Sequence, residues 1–131
     1  MNKIDRPVYV QPQQDASPEG RAACFEPVPR MSDDQLASAA FLAKRLSDAN
    51  RLRILLLLAH GKQSVSAIVG ELGLSQALVS LHLKELKRSL LMTVEGQGPF
   101  IHYALSDYRI FNVIKTLNDI AGELLTARKT F

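Results

Sequence analysis

The sequence predicts a mainly α-helical domain carrying one small β-hairpin. Three observations point there. Apolar residues recur at helical spacing in five separate stretches after residue 31. Between the fourth and fifth, Thr93-Val94 and Phe100-Ile101 with Tyr103 suit a pleated surface and flank the turn Gly96-Gln97-Gly98-Pro99. Capping residues and glycines fall where the helical stretches begin and end.

Composition sets the frame. The chain has 131 residues, 47% of them apolar, enough for one domain with room for a tail. Its single cysteine, Cys24, excludes a disulfide framework and any cysteine-only metal cage within one chain. The longest apolar run, Ile54 to Ala59, is far short of the roughly 18 residues of a membrane span. The N-terminus has no apolar signal core, so the expectation is a soluble, cytoplasmic protein without a membrane partner. A net charge of +3 permits a nucleic-acid partner without demanding one. The prolines then divide the chain. Pro7, Pro12, Pro18, Pro27 and Pro29 lie in the first thirty residues and only Pro99 lies beyond. Repeated prolines remove backbone donors and disfavour helix. Residues 1–31 therefore read as an extended or disordered arm, and residues 32–131 as the folded domain.

The first helix starts at Ser32-Asp33-Asp34-Gln35, a capping box whose acids suit the positive end of the helix dipole. Leu36, Ala39, Ala40, Ala43 and Leu46 carry its apolar period. A break at Ser47-Asp48 starts a second helix through Arg51, Leu52, Leu55 and Leu58, which Gly61 ends. From Ile54 onward it is apolar nearly all round, as the buried centre of a domain should be. A short third helix, with Ser66 as the expected cap, runs through Ile68, Val69 and Leu72 to Gly73. Ser75 caps a fourth helix reaching about Arg88, so the third and fourth form a helix-turn-helix. Leu91–Glu95 and Phe100–Leu105 are the expected strands. Asp107 caps a long last helix to about Ala127, with Ile110, Val113, Ile114, Leu117, Ile120, Ala121 and Leu124 on one side.

This order is that of a winged helix-turn-helix with flanking helices, and its physical logic concerns DNA. An α-helix fits the major groove, where outward side chains read base edges. In the fourth helix, Val79, Leu83 and Leu86 share a narrow inward arc, while Ala77, Ser80, Leu81, Lys84 and Arg88 face the other way. Ser75 and Gln76 occupy the first turn. Gln76 and Ser80 are suited to base hydrogen bonds, Leu81 to a thymine methyl, and Lys84, Lys87 and Arg88 to phosphates. A second reading, of a different class, is a winged-helix protein–protein interaction module that uses the N-terminal arm as an adaptor. Leu81 and the uncharged wing tip fit it. No glycine-rich phosphate loop and no nucleophile beside a base suggests an enzyme, and no cofactor is expected.

The residues also resemble a family. Leu46-Ser47-Asp48-Ala49-Asn50-Arg51-Leu52-Arg53-Ile54-Leu55 is similar to the second-helix signature of the ArsR/SmtB repressors. Leu74-Ser75-Gln76-Ala77-Leu78-Val79-Ser80-Leu81-His82-Leu83-Lys84-Glu85-Leu86 resembles their recognition helix, and Glu95-Gly96 with His102-Tyr103-Ala104-Leu105 their wing. The resemblance covers Ser32 to Leu125. It implies a homodimer, joined through its first and last helices, that represses transcription from a near-palindromic double-stranded operator with half-sites about 34 Å apart. It also implies that the wing, with His102, lies near DNA. Two departures stand out. The wing tip has no Lys or Arg between Glu95 and His102, and Leu90 stands where the family usually has glycine, which predicts a different helix exit.

Many relatives release DNA on binding metal. The thiol site before recognition is absent here, where Ser64-Val65-Ser66-Ala67-Ile68 stands. The last-helix positions hold Asp107, Arg109, Ile120 and Glu123, which lack both histidines. His60, His82 and His102 are far apart. No metal site is expected, which leaves a small-molecule or redox effector, with Cys24 the one redox candidate. The charge, finally, is placed. Lys3, Arg6, Arg21 and Arg30 cancel Asp5, Asp15, Glu19 and Glu26, so the whole +3 belongs to the domain.

Overall fold

The computed structural model describes residues 27–96 and 98–127. Most of the predicted arm, including Cys24, lies outside the described residues. The elements run α1 (Asp33–Arg45), α2 (Ala49–Ala59), α3 (Val65–Leu72), α4 (Gln76–Arg88), β1 (Met92–Glu95), β2 (His102–Leu105) and α5 (Arg109–Ala127).

Local chemistry sets the helix starts. Asp48 caps α2, its Oδ1 accepting the amides of Asn50 at 2.8 Å and Arg51 at 3.1 Å. The Arg51 amide is the main reason that the Asp48 carboxyl lies below the usual range; partial burial opposes it, and the Asn50 amide and the charges of His82 and Arg51 support it. Ser64, not Ser66, caps α3, accepting the Ala67 amide at 3.1 Å. The helix begins two residues earlier than the apolar pattern suggests, because Val65 is already inside it. Gly73 closes α3 in the left-handed conformation at φ +67°, which glycine adopts without steric cost.

The core forms around α2, as its sequence requires. Ile54 and Leu55 are fully buried and meet Leu58, Ile68 of α3, Val79, Leu83 and Leu86 of α4, Leu91 and Met92 at the hairpin entry, and Ile114 of α5. Burying such side chains supplies roughly 1.5–3 kcal/mol each. The hairpin is antiparallel, pairing Met92 with Leu105 and Glu95 with His102. Both strands are shorter than expected. Leu91 precedes β1, and Phe100 falls in a short 3-10 turn, Gly98–Phe100, whose second residue is Pro99. Proline has no amide for a ladder, so the turn extends into what reads as strand.

The exit from α4 shows how Leu90 replaces glycine. Leu90 takes φ +65°, and it is the one non-glycine residue with positive φ among the described residues. Its amide reaches the Lys87 carbonyl at 3.0 Å, and the Leu91 amide reaches the Leu86 carbonyl at 3.1 Å. These are the two bonds of a Schellman motif, with Leu86 and Leu91 making its apolar contact in the core. The departure in sequence therefore does not carry over to geometry: leucine is held in the conformation that glycine favours. The left-handed conformation costs an L-residue roughly 1–2 kcal/mol, and Leu90, 78% exposed, buries little in return. Leu90→Gly should therefore raise unfolding stability by about 0.5–1 kcal/mol, after allowing for the extra freedom of unfolded glycine. Urea unfolding would show a higher midpoint at unchanged slope.

The outer helices are packed differently. No residue of α1 is buried, and in α5 only Ile114 is. Leu36, Phe41 and Leu42 of α1, and Val113, Leu117, Ile120, Leu124 and Leu125 of α5, are exposed. Scattered exposed leucines are ordinary, but a run at i, i+4, i+7 and i+11 along one helix marks a face meant to be covered.

Candidate nucleic-acid interface

α4 is set at its angle by the turn before it. Between α3 and α4 the chain bends through 118°, near the upper end of the helix-turn-helix range. Ser75 caps α4 by accepting the Leu78 amide at 3.1 Å. Val79, His82, Leu83 and Leu86 are buried and fix its rotation. That rotation leaves Ser75, Gln76, Ala77, Ser80, Leu81, Lys84, Lys87 and Arg88 all exposed, gathered on one helix and its cap. Leu81 is 56% exposed, an apolar group amid polar neighbours.

The cations of this face are not equivalent. Lys84 and Lys87 make no ion pair among the described residues. Arg88 does: its Nη1 lies 3.2 Å from Oε2 of Glu85, one turn back. His82 is buried, with Nε2 3.8 Å from Oδ1 of the Asp48 cap. His102 is not on α4 but on β2, where its Nδ1 lies 3.1 Å from the Phe100 carbonyl. Among the predicted site residues, Cys24 lies outside the described residues.

Two tethers hold the hairpin to the helices, and no local sequence signal announces either. The backbones of Gln63 and Tyr103 exchange hydrogen bonds, at 3.0 Å and 2.7 Å, between the segment entering α3 and β2. Lys62 Nζ meets Glu95 Oε1 at 3.1 Å, pairing residues 33 positions apart. Gly96, at φ +95°, lets the chain fold back at the wing tip; a Cβ there would collide with the Phe100 carbonyl. Phe100 stands 73% exposed at that tip.

The last-helix metal positions do not fit a metal. Arg109 clamps Asp107 by three contacts, Nε to Oδ1 at 3.1 Å and to Oδ2 at 3.2 Å and Nη2 to Oδ2 at 2.7 Å, so a guanidinium takes the oxygens a cation would need. Among the described residues, no three His, Cys, Asp or Glu side chains come together as a metal site. The side-chain bond from Arg109, and then its backbone amide, bring the Asp107 pKa from 3.8 to about 2. Because the folded value lies below the unfolded one, the cap on α5 is intact above about pH 4 and lost as pH falls through about 2. An NMR titration should give that low midpoint for the Asp107 carboxyl, with the first turn of α5 fraying alongside. Arg109→Ala should move the midpoint back up.

Known proteins share this frame. A family model described as bacterial regulatory protein, arsR family, matches residues 48–89, which span α2 to the end of α4. An HTH-type transcriptional regulator of Methanocaldococcus jannaschii is 32% identical over 88 residues, 66% of this chain and 99% of the relative. The nodulation protein NolR of Rhizobium meliloti is 28% identical over 99 residues, 76% of this chain and 81% of the relative. Among solved structures, the homodimeric winged helix-turn-helix DNA-binding domain of a possible ArsR-family regulator from Mycobacterium bovis superposes with a TM-score of 0.63. It is 26% identical, and the match covers 79% of this chain and 99% of that one.

Proposed function

The chain belongs to the ArsR family of bacterial regulatory proteins, and from that premise we propose that it is a homodimeric repressor reading a near-palindromic operator through α4. The observation that carries the reading is the two-sided character of α4. Its inner face is locked into the core, while its outer face presents Gln76, Ser80, Lys84 and Lys87 to solvent. A rigid backing is what a groove-reading helix needs, because base discrimination depends on a donor or acceptor held in place.

The roles follow from chemistry. Gln76, in the first turn, pairs most naturally with adenine, and Ser80 takes a second base edge. Leu81 and Ala77 give apolar contact to a thymine methyl. Lys84, Lys87 and Arg88 meet phosphates, with Ser75 beside them at the helix start. The wing contributes His102 and an uncharged tip, so α4 carries most of the charge-dependent binding. α1 and α5 supply the second-copy contact, across the apolar groove of about 790 Å³ between Phe41, Leu42, Ile110 and Val113. Two-fold symmetry then sets half-sites about one helical turn, roughly 34 Å, apart. Occupancy of such a site excludes polymerase, and an effector other than a metal, acting in the cytoplasm, relieves it.

Base substitution along a selected duplex tests the assignment. Gln76→Ala should flatten the preference at one base pair of each half-site by about 1–3 kcal/mol and leave the salt dependence unchanged. An unaltered preference at every position would remove Gln76 from the base-reading set.

A further inference from the structure

Glu85 is the one acid on α4, and it faces two arginines. Its Oε2 lies 3.2 Å from Nη1 of Arg88, on the solvent side of the same helix. Its Oε1 lies 3.9 Å from Nε of Arg45, in the last turn of α1. Arg45 is short of an acceptor: that Nε is buried and makes no hydrogen bond. Two further contacts place Arg45. Its guanidinium sits 4.7 Å from the centre of the Phe41 ring, and its carbonyl accepts Arg51 Nε at 2.7 Å. The side chains of Arg45 and Glu85 are 19% and 32% exposed, against 58% for Arg88, so the inner pair is the better shielded from water.

We propose that Glu85 is a positioning residue that withholds Arg88 from DNA until its carboxylate passes to Arg45. One carboxylate serves both arginines poorly. A phosphate offers Arg88 a stronger, doubly bonded acceptor. Once Arg88 turns to it, Glu85 is free to close by about 1 Å on Arg45 and give the orphaned Nε its hydrogen bond. DNA contact on α4 thereby tightens the link between α4 and α1. By reciprocity, whatever steadies Arg45 on α1 favours DNA binding. Phe41, against which Arg45 stacks, is among the exposed α1 residues assigned to the second copy, so dimer formation and the DNA grip of Arg88 meet at this carboxylate. The inference rests on the DNA reading of α4.

The test is a set of binding titrations of the full chain against a duplex recovered by selection and a scrambled duplex of equal length, at several salt concentrations. Glu85→Gln should raise affinity for both duplexes by about two- to fivefold, the range of an ion pair of this exposure. Arg45→Gln, which leaves Glu85 wholly to Arg88, should lower affinity by a similar factor, and Arg45→Lys should recover most of it. In the Glu85→Gln background, Arg45→Gln should have no effect. That vanishing separates positioning from a structural role, because stability lost with the Arg45–Phe41 stacking is lost in both backgrounds alike. If wild type binds but Arg45→Gln costs the same in both backgrounds, or Glu85→Gln weakens binding, the inference is wrong. If wild type binds neither duplex, the DNA reading itself falls, and this inference with it.

Discussion

Replacing Leu117 and Leu124 together by glutamate should turn the protein into a folded monomer that binds its operator at least about 100-fold more weakly. Leu117 and Leu124 are 48% and 61% exposed in the isolated chain, so charging them costs the core little. Ile114, which ties α5 to α2, is untouched. In a dimer the same positions would bring four carboxylates into an apolar interface, where unpaired charge is costly. Loss of the second copy removes half of the operator contacts and the high effective concentration of the second half-site, worth about 10²–10⁴ in affinity. Sedimentation equilibrium reads the mass, circular dichroism the retained helix, and a titration the affinity. Operator binding at full strength by a verified monomer would contradict the dimer reading.

The second large effect concerns charge on α4. Lys84→Ala with Lys87→Ala should make the dependence of log K on log salt shallower by about 2 units per protomer, since each lysine that neutralises a phosphate releases roughly 0.9 of a counterion. At about 0.15 M salt this should amount to a tenfold loss or more, equal for selected and scrambled duplexes. Both lysines are exposed and unpaired among the described residues, so the fold should not notice. Arg88→Ala alone should cost less than either lysine, because Glu85 already holds Arg88. An unchanged salt slope in the double variant would mean that the helix meets DNA by another face.

How much of this is legible in the sequence depends on the range of the interaction. The inward arc Val79, Leu83 and Leu86 and the outward set from Gln76 to Arg88 follow from 100° steps alone, because one helix fixes both. Asp48, read only as part of a break, proves to cap α2, whereas Ser75 and Asp107 are read correctly as caps because capping is local. Ser64 is not, because two serines stand two positions apart and only the backbone decides between them. Leu90 predicts a changed exit by its type. The Schellman bonds from Leu90 and Leu91, together with burial of Leu86 and Leu91, are strong enough to impose a glycine's conformation on it. The strands are shortened by the turn through Pro99. The tethers Lys62–Glu95 and Gln63–Tyr103, and the placing of Glu85 between Arg45 and Arg88, join residues from separate elements. No periodicity encodes them, and they become visible only once the chain is folded.

Whether α4 reads DNA in a two-fold dimer is decided by selecting duplexes from a random pool with the purified full chain. Inverted repeats with half-site centres about one helical turn apart should be enriched, bound with a steep salt dependence and lost in the Leu117→Glu, Leu124→Glu variant. A pool that stays random after repeated rounds, while a protein partner is retained instead, would contradict this reading and favour a winged-helix interaction module.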